Sequence, residues 1–324
     1  MWDLTMTQPS KIELEKLYWQ DGLSTRKIEA RFGLHQSAVL RLMRRYNLPR
    51  RNRIAAVIKG CKRYEKTPFS GDLNEKAYLL GLTFADFRRR RHGYQIDIAT
   101  GTTHPAFARL FKKIFEKYAP VSERPYFNAS MKRYGWRLET QLHPSFDFLL
   151  SPKMVPVEIM ANEKAFFYFL AGYADGEGTI SVGKNSATRA DIVFAIASSD
   201  KLILDSLFKG LTLLNFKPSI YKIKSAGDSN VLYGVTLYYK SDTWQLRVKR
   251  RKELIRLLKS LPLQHSEKIR AAEFVLAFHD TFSLQDVREP WAKLKNEIKR
   301  EVDDYVSRAA LELCSSLKCS QARA

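Results

Sequence analysis

Cysteine is scarce in this sequence: three in 324 residues, Cys61, Cys314 and Cys319. Three cannot build a disulfide framework and no C-x-x-C pair offers zinc ligands, so a reducing intracellular setting, cytoplasm or nucleoid, is expected. No apolar run approaches the ~20 residues that span a bilayer. Met1-Trp2-Asp3-Leu4-Thr5 lacks the basic-then-apolar pattern of a signal peptide, so neither a membrane span nor secretion is expected. Acidic residues are the other shortage: 34 Asp and Glu stand against 55 Lys and Arg, a net charge of +21 with a pI near 9.8. Apolar residues make up 45%, with 19 Phe and 15 Tyr, enough to bury a core. In such a chain the charge imbalance points to a polyanionic partner, nucleic acid first. The length fits about two domains.

Residues 1–48 read as a small all-α module. Ser10 and Glu13 form a capping box, after which Ile12, Leu14, Leu17 and Tyr18 line one helical face. Ser24 opens a second helix with Ile28 and Phe32 inward, and Gly33 ends it. A third starts near Gln36 with Val39, Leu42 and Met43 inward, and Pro49 stops it. The glycine permits a tight turn, and Val39 faces back onto Ile28. This pattern resembles the helix-turn-helix family, departing from it at Glu29, where a small residue is usual. The resemblance implies a DNA-reading third helix presenting Gln36, Ser37, Arg41, Arg44 and Arg45.

A basic linker is expected at residues 49–71. Between residues 41 and 66 ten basic residues (Arg41, Arg44, Arg45, Arg50, Arg51, Arg53, Lys59, Lys62, Arg63, Lys66) face one acid, Glu65. Such a segment tracks phosphates and adds affinity rather than sequence information.

Residues 72–262 hold an internal repeat, with copies at 72–155 and 156–262, and residues 263–324 read as C-terminal helices. Asn74-Glu75-Lys76-Ala77 recurs as Asn162-Glu163-Lys164-Ala165, each Asn expected as the helix N-cap. Both helices run through Leu80-Gly81-Leu82 or Ala171-Gly172-Tyr173 to a small residue and an acid, Ala85-Asp86 and Gly176-Glu177. Alternating strand material, an amphipathic helix and two more strands follow in each copy, the last strands sharing Tyr134-Gly135 and Tyr233-Gly234. The pattern is α-β-β-α-β-β, with a closing helix clear only in the second copy, near residues 251–261. In the tail, Leu294, Ile298, Val302, Tyr305 and Ala309 have helical spacing and are expected to buttress the second repeat.

The segments Leu79-Leu80-Gly81-Leu82-Thr83-Phe84-Ala85-Asp86-Phe87 and Leu170-Ala171-Gly172-Tyr173-Ala174-Asp175-Gly176-Glu177-Gly178 resemble the LAGLIDADG signature of homing endonucleases. The first departs from it at Phe84 and Phe87. The resemblance implies an α+β fold: a pseudo-twofold duplicated αββαββα core behind the helix-turn-helix. Small residues four apart would let the two helices touch backbone to backbone, bringing two acids together at helix ends that are already negative. By resemblance, Asp86 and Glu177 are catalytic acids holding Mg²⁺ or Mn²⁺. Lys240 and Gln141, placed by the Tyr-Gly register, are the auxiliary residues of the two copies. DNA-facing candidates are Gln95, Asp97, Arg124, Asn128, Arg189, Asp191, Lys222 and Lys224 on strands, with Arg88, Arg89, Arg90 and Arg91 expected on phosphates. No amino-terminal Cys or Ser and no closing His-Asn pair frames the chain, so a free-standing protein rather than an intein is expected. The function implied is a monomeric site-specific double-strand DNA endonuclease, in which Phe84 and Phe87 would favour nicking of one strand first. The alternatives are a DNA-binding transcriptional regulator on an inactive core and a maturase that binds intron RNA.

Overall fold

The computed structural model describes residues 8–52, 65–184, 186, 189–232, 234–278 and 283–321. Arg53, Lys59, Lys62 and Arg63 of the basic segment, Cys61, and Tyr233 of the second Tyr-Gly pair lie outside the described residues. The chain divides into two compact units, Met1–Glu65 and Lys66–Ala324.

The first unit is helical. The Ser10–Glu13 capping box starts α1 (Lys11–Glu15), which widens into a π-type turn at Lys16–Gln20. Leu14, Leu17 and Tyr18 are buried, but Ile12 is 81% exposed. This corrects the expected apolar face, because two residues sit about 200° apart around a helix and Leu14 takes the inward side. Ser24 caps α2 (Thr25–Phe32), and Gly33 ends it in the left-handed region at φ 64°. In α3 (Gln36–Arg45) Val39, Leu42 and Met43 are buried and share one core with Ile28 and Leu14.

The second unit begins before the expected linker ends. Residues 66–71 pack on it: the Thr67 amide donates to the Tyr118 carbonyl at 2.9 Å, and Phe69 lies 4.9 Å from the Phe148 ring. The first repeat runs α4 (Leu73–Asp86), β1 (Arg88–His92), β2 (Gln95–Thr102), α5 (Pro105–Phe115), β3 (Val121–Asn128) and β4 (Arg133–Leu142). A 3₁₀ run at Pro144–Leu150 and the short α6 (Val157–Met160) lead out of it. The second runs α7 (Glu163–Glu177), β5 (Gly178–Lys184), β6 (Ala190–Ser198), α8 (Lys201–Leu213), β7 (Ser219–Lys224), β8 (Ser229–Leu232), β9 (Val235–Tyr238), β10 (Thr243–Val248) and α9 (Arg251–Ser260). Then come α10 (Ser266–Ala277) and α11 (Leu284–Gln321). No described helix is long and apolar enough to cross a membrane.

The sheets are antiparallel and match, β1-β2-β4-β3 and β5-β6-β10-β7, with β8 and β9 as a separate hairpin. Their inner faces carry Ile96, Ile98, Leu138 and Leu142, and Ile192, Phe194, Ile196 and Leu246, all in one core with α4 and α7. Asn162 caps α7 as expected, accepting the Ala165 amide. Asn74 does not cap α4; Asp72, two residues earlier, accepts the Glu75 amide at 2.7 Å and moves the helix start.

The ladders also correct the repeat register. Trp136 pairs with Thr102 and Trp244 with Ser198, so Trp136-Arg137-Leu138 corresponds to Trp244-Gln245-Leu246. Gly135 lies within β4, whereas Gly234 sits in the β8–β9 turn at φ 76°. The hairpin is extra chain in the second copy, and it is what misaligned the Tyr-Gly pairs. The tail differs too. The Trp136 indole N–H donates to the Tyr305 carbonyl at 2.9 Å and stacks on the Tyr305 ring, so α11 buttresses chiefly the first repeat, with a smaller contact to β5 of the second.

Candidate active site

The site is built by two helices in backbone contact. A Cβ added at Gly81 would fall 2.2 Å from the Phe169 carbonyl O and 2.8 Å from Tyr173 N; one at Gly172 would fall 2.2 Å from Tyr78 O and 2.9 Å from Leu82 N. Each glycine thus meets the partner helix three residues before and one after the partner's glycine, as a twofold axis between α4 and α7 demands. Farther along, a Cβ at Gly176 would lie 2.3 Å from the Ala85 Cβ and 3.9 Å from the Asp86 amide N. Asp86 and Glu177 follow directly, so the two acids end adjacent helices side by side.

The departures at Phe84 and Phe87 have structural reasons. Tyr78 donates to the buried Asp175 at 2.6 Å. At the position related by the axis, Phe84 meets Phe169 edge-on at 6.2 Å. A hydroxyl–carboxylate pair and an aromatic pair fill equivalent niches across the same helix seam. Phe87 packs among Phe107, Phe111 and Phe115.

Asp86 is exposed and Glu177 half-buried by surface area, yet protein fills most of the volume around each carboxylate, and burial raises both in pKa. Glu177 is pushed up to about 7 by burial and then by the Asp86 charge, against the pull of Lys268 and Lys153. Asp86 is raised by burial against the same two lysines. Like charges this close titrate as a pair. Among the described residues no group of three or more His, Cys, Asp or Glu forms a metal cage. Two carboxylates at negative helix ends suit a hard divalent cation that keeps several waters and takes substrate oxygens as further ligands.

Residues 166–262 match the family model described as LAGLIDADG-like domain. That stretch is a LAGLIDADG-like domain. Among curated proteins, none matches the sequence. Among solved structures the chain is similar to I-DmoI in complex with DNA and Ca, at 12% identity over 58% of this chain and 89% of that one, TM-score 0.37. It is similar to the homing endonuclease I-WcaI bound to its DNA recognition sequence, at 14% over 66% and 89%, TM-score 0.43. It is also similar to full-length DUF199/WhiA from Thermatoga maritima, at 14% over 76% and 94%, TM-score 0.41. The carboxylates, not these distant likenesses, decide what the site can do.

The LAGLIDADG-like acids do not have the neighbours expected of them. Lys240 is exposed in the loop between β9 and β10, and the ladder register sets Lys249, not Lys240, against Gln141. Lys249 is tied to Asp191 at 3.2 Å, and Gln141 sits beside Asp97 on β4. The cations beside the acids are instead Lys153, paired with Asp200 at 2.7 Å, and Lys268 on α10. The sequence reading missed both because neither lies on an element that the two copies share.

Opposed residues on antiparallel strands point the same way. By that rule Gln95, Asp97, Arg124 and Asn128 share the outer face of the first sheet with Arg88, Arg90, Arg133 and Arg137. Asp97 is 4% exposed, held by Arg90 at 2.5 Å and Arg88 at 3.5 Å. Arg89 and Arg91 have the opposite parity, and the Arg89 guanidinium covers the Phe84 ring at 4.5 Å. On the second sheet Asp191 faces outward, and exposed Arg189 has the same parity. Lys222 does not: it opposes Trp244 and pairs with Asp242 at 3.2 Å, while Lys224 opposes Thr243 across a register shift. The residues that do occupy that outer face are Tyr221, Gln245 and Arg247, with Tyr221 donating to Gln245 at 3.0 Å and Arg247 to the same oxygen at 2.6 Å.

In the first unit Arg41, Arg44, Arg45 and Arg50 are exposed. Gln36 donates to Thr25 at 3.1 Å, and Ser37 bonds to the His35 ring at 2.9 Å. Arg51, expected on phosphates, is folded in: its guanidinium covers the Tyr18 ring at 4.0 Å and donates to the Gly22 carbonyl at 3.0 Å.

Proposed function

We propose that this chain is a metal-dependent DNA endonuclease that cuts both strands of a long, asymmetric site, two unequal repeats in one chain replacing the subunits of a symmetric dimer. The observation that carries this reading is the pair of carboxylates brought together at the ends of two helices whose glycines touch. Among the described residues neither acid has an ion pair that neutralises it, and Lys153 and Lys268 only partly offset the pair, which leaves it suited to Mg²⁺ or Mn²⁺. When bound, such an ion neutralises phosphate charge and lowers the pKa of attacking water.

The chain's own residues do the rest. Asp86 and Glu177 hold the ion. Lys153 and Lys268 limit the repulsion between the two acids. Arg124, Arg133 and Arg137 on one sheet and Arg247 on the other present cations to the duplex from faces whose alternate side chains reach base edges. The first unit acts as a helix-turn-helix reader through α3, with Arg41, Arg44, Arg45 and Arg50 toward DNA. The net charge of +21 makes that affinity steeply salt-dependent.

The test is purified protein with Mg²⁺ and uninterrupted DNA from its own genomic neighbourhood. Wild type should cut, and D86N or E177Q should lower the rate by roughly 10³-fold or more while leaving DNA affinity in EDTA near the wild-type value. Tight binding without cuts by the wild type favours the regulator, and preference for a structured intron RNA favours the maturase.

A further inference from the structure

Lys268 lies outside the LAGLIDADG-like match, on α10, yet its ammonium group closes the end of α7. Its Nζ donates to the carbonyls of Ala174, Asp175 (2.9 Å) and Gly176 (3.4 Å), the last acceptors before Glu177. The Ala174 carbonyl also accepts the Gly178 amide; those of Asp175 and Gly176 belong to the orphan groups of a helix C-terminus, and a lysine is a side chain suited to them. The neighbouring residues fasten α10 to both repeats. The Gln264 amide donates to Asp175 at 2.8 Å, and Glu267 meets His104 of the first repeat at 3.0 Å. A cavity of about 540 Å³ runs from Asp86 past Lys268 to α10 and α11, so the amine borders the same space as the acid of the other repeat. Lys153, the second cation here, is already neutralised by Asp200, whereas Lys268 bonds only to backbone oxygens among the contacts described for it.

We propose that Lys268 is a positioning residue of the acid pair: by closing the carboxyl end of α7 it fixes where Glu177 presents its carboxylate. This rests on the nuclease reading, and it makes the C-terminal helices part of the catalytic centre.

The test compares full-length wild type, K268M and E267Q. Mn²⁺ binding is read by electron paramagnetic resonance, cleavage in single turnover, and melting temperature in EDTA. The sign of the Mn²⁺ effect is decisive. Removing a positive charge beside two carboxylates would by Coulomb attraction alone tighten the ion, whereas a displaced Glu177 weakens it. K268M should bind Mn²⁺ more weakly and cleave roughly tenfold or more slowly, and E267Q, which loosens α10 without touching α7, should stay within about twofold of wild type. Unchanged or tighter Mn²⁺ binding in K268M overturns the role, as does an equal loss in E267Q. Should K268M fail to fold, K268Q, whose amide still reaches a carbonyl, should show the same direction of loss to a smaller extent, and unchanged binding there overturns the role equally. A wild type that binds Mn²⁺ but never cuts refutes the nuclease reading, while the Mn²⁺ comparison still decides the role of Lys268.

Discussion

Glu177 titrates far from its ordinary value of 4.5 because burial and the Asp86 charge push it up to about 7. Ionising it therefore costs more in the folded chain than in the unfolded one. Its contribution to stability is complete below the ordinary value and is lost as pH rises through the window up to about 7. His265 slopes the other way: burial pulls it down to about 3, so stability grows as pH rises from there toward 6.5. The two overlap, and only the difference between wild type and E177Q isolates Glu177. In EDTA the wild type should lose melting temperature relative to E177Q between about pH 5 and 7, and Mg²⁺ should restore most of it by binding the folded state. A difference that stays flat across that range, or rises, defeats this account of the acid pair. Asp97 supplies a second test. It pairs with Arg90 and Arg88 on the outer face of the first sheet; Arg88 keeps a second partner in Glu139 at 3.2 Å, so D97A should free Arg90 for phosphates. Affinity for non-specific DNA should rise at low salt, and the slope of log affinity against log salt should steepen by about 1. An unchanged slope would mean that the outer face of the first sheet does not meet DNA.

At the scale of elements, the seam between α4 and α7 is where sequence and fold agree most closely. Two glycines spaced from two acids in the same way predict a symmetric backbone contact, and Gly81 and Gly172 make it. Glycine is required there because any Cβ would meet backbone rather than a movable side chain. G81A should cost about 3 kcal/mol or more in denaturant unfolding, at the upper end of overpacking effects; a loss under about 1 kcal/mol would mean the helices part easily. The sheets were legible only in outline. Strand order and alternation followed from the repeat, but register did not. Tyr134-Gly135 and Tyr233-Gly234 match as letters, and the β8–β9 hairpin separates them in space. The pair that keeps its place is Trp136-x-Leu138 with Trp244-x-Leu246, because those side chains fill the inner face and cannot shift by one without turning outward. Lys240 was misplaced by that error. Lys153 and Lys268 were illegible for another reason: neither lies on an element that the two copies share, and no local pattern marks a long side chain that returns to a helix end far away in sequence.

For the whole molecule, the duplication is geometrically close to symmetric and electrostatically unequal. The last carbonyls of α7 are closed by an ammonium group from Lys268, while at the end of α4 the Asp86 carbonyl accepts the neutral Thr100 hydroxyl, at 3.2 Å. Phe84 adds to this inequality, since the residue related to it by the axis is the buried acid Asp175. The residues that precede α5 and α8 differ as well: Asp200 of the second repeat binds a lysine, and His104 of the first binds a glutamate. Two acids in such different fields should not drive two hydrolyses at one rate, because transition-state charge is stabilised by the fixed charges around it. On a supercoiled plasmid carrying one target site, nicked circle should therefore accumulate before linear product, and the first nick should fall on the same strand in every molecule. K268M should change the ratio of the two rates by slowing the half-reaction that depends on the α7 end. Linear product appearing with no nicked intermediate, or first nicks divided equally between strands, would show that the two halves act as equals despite their surroundings.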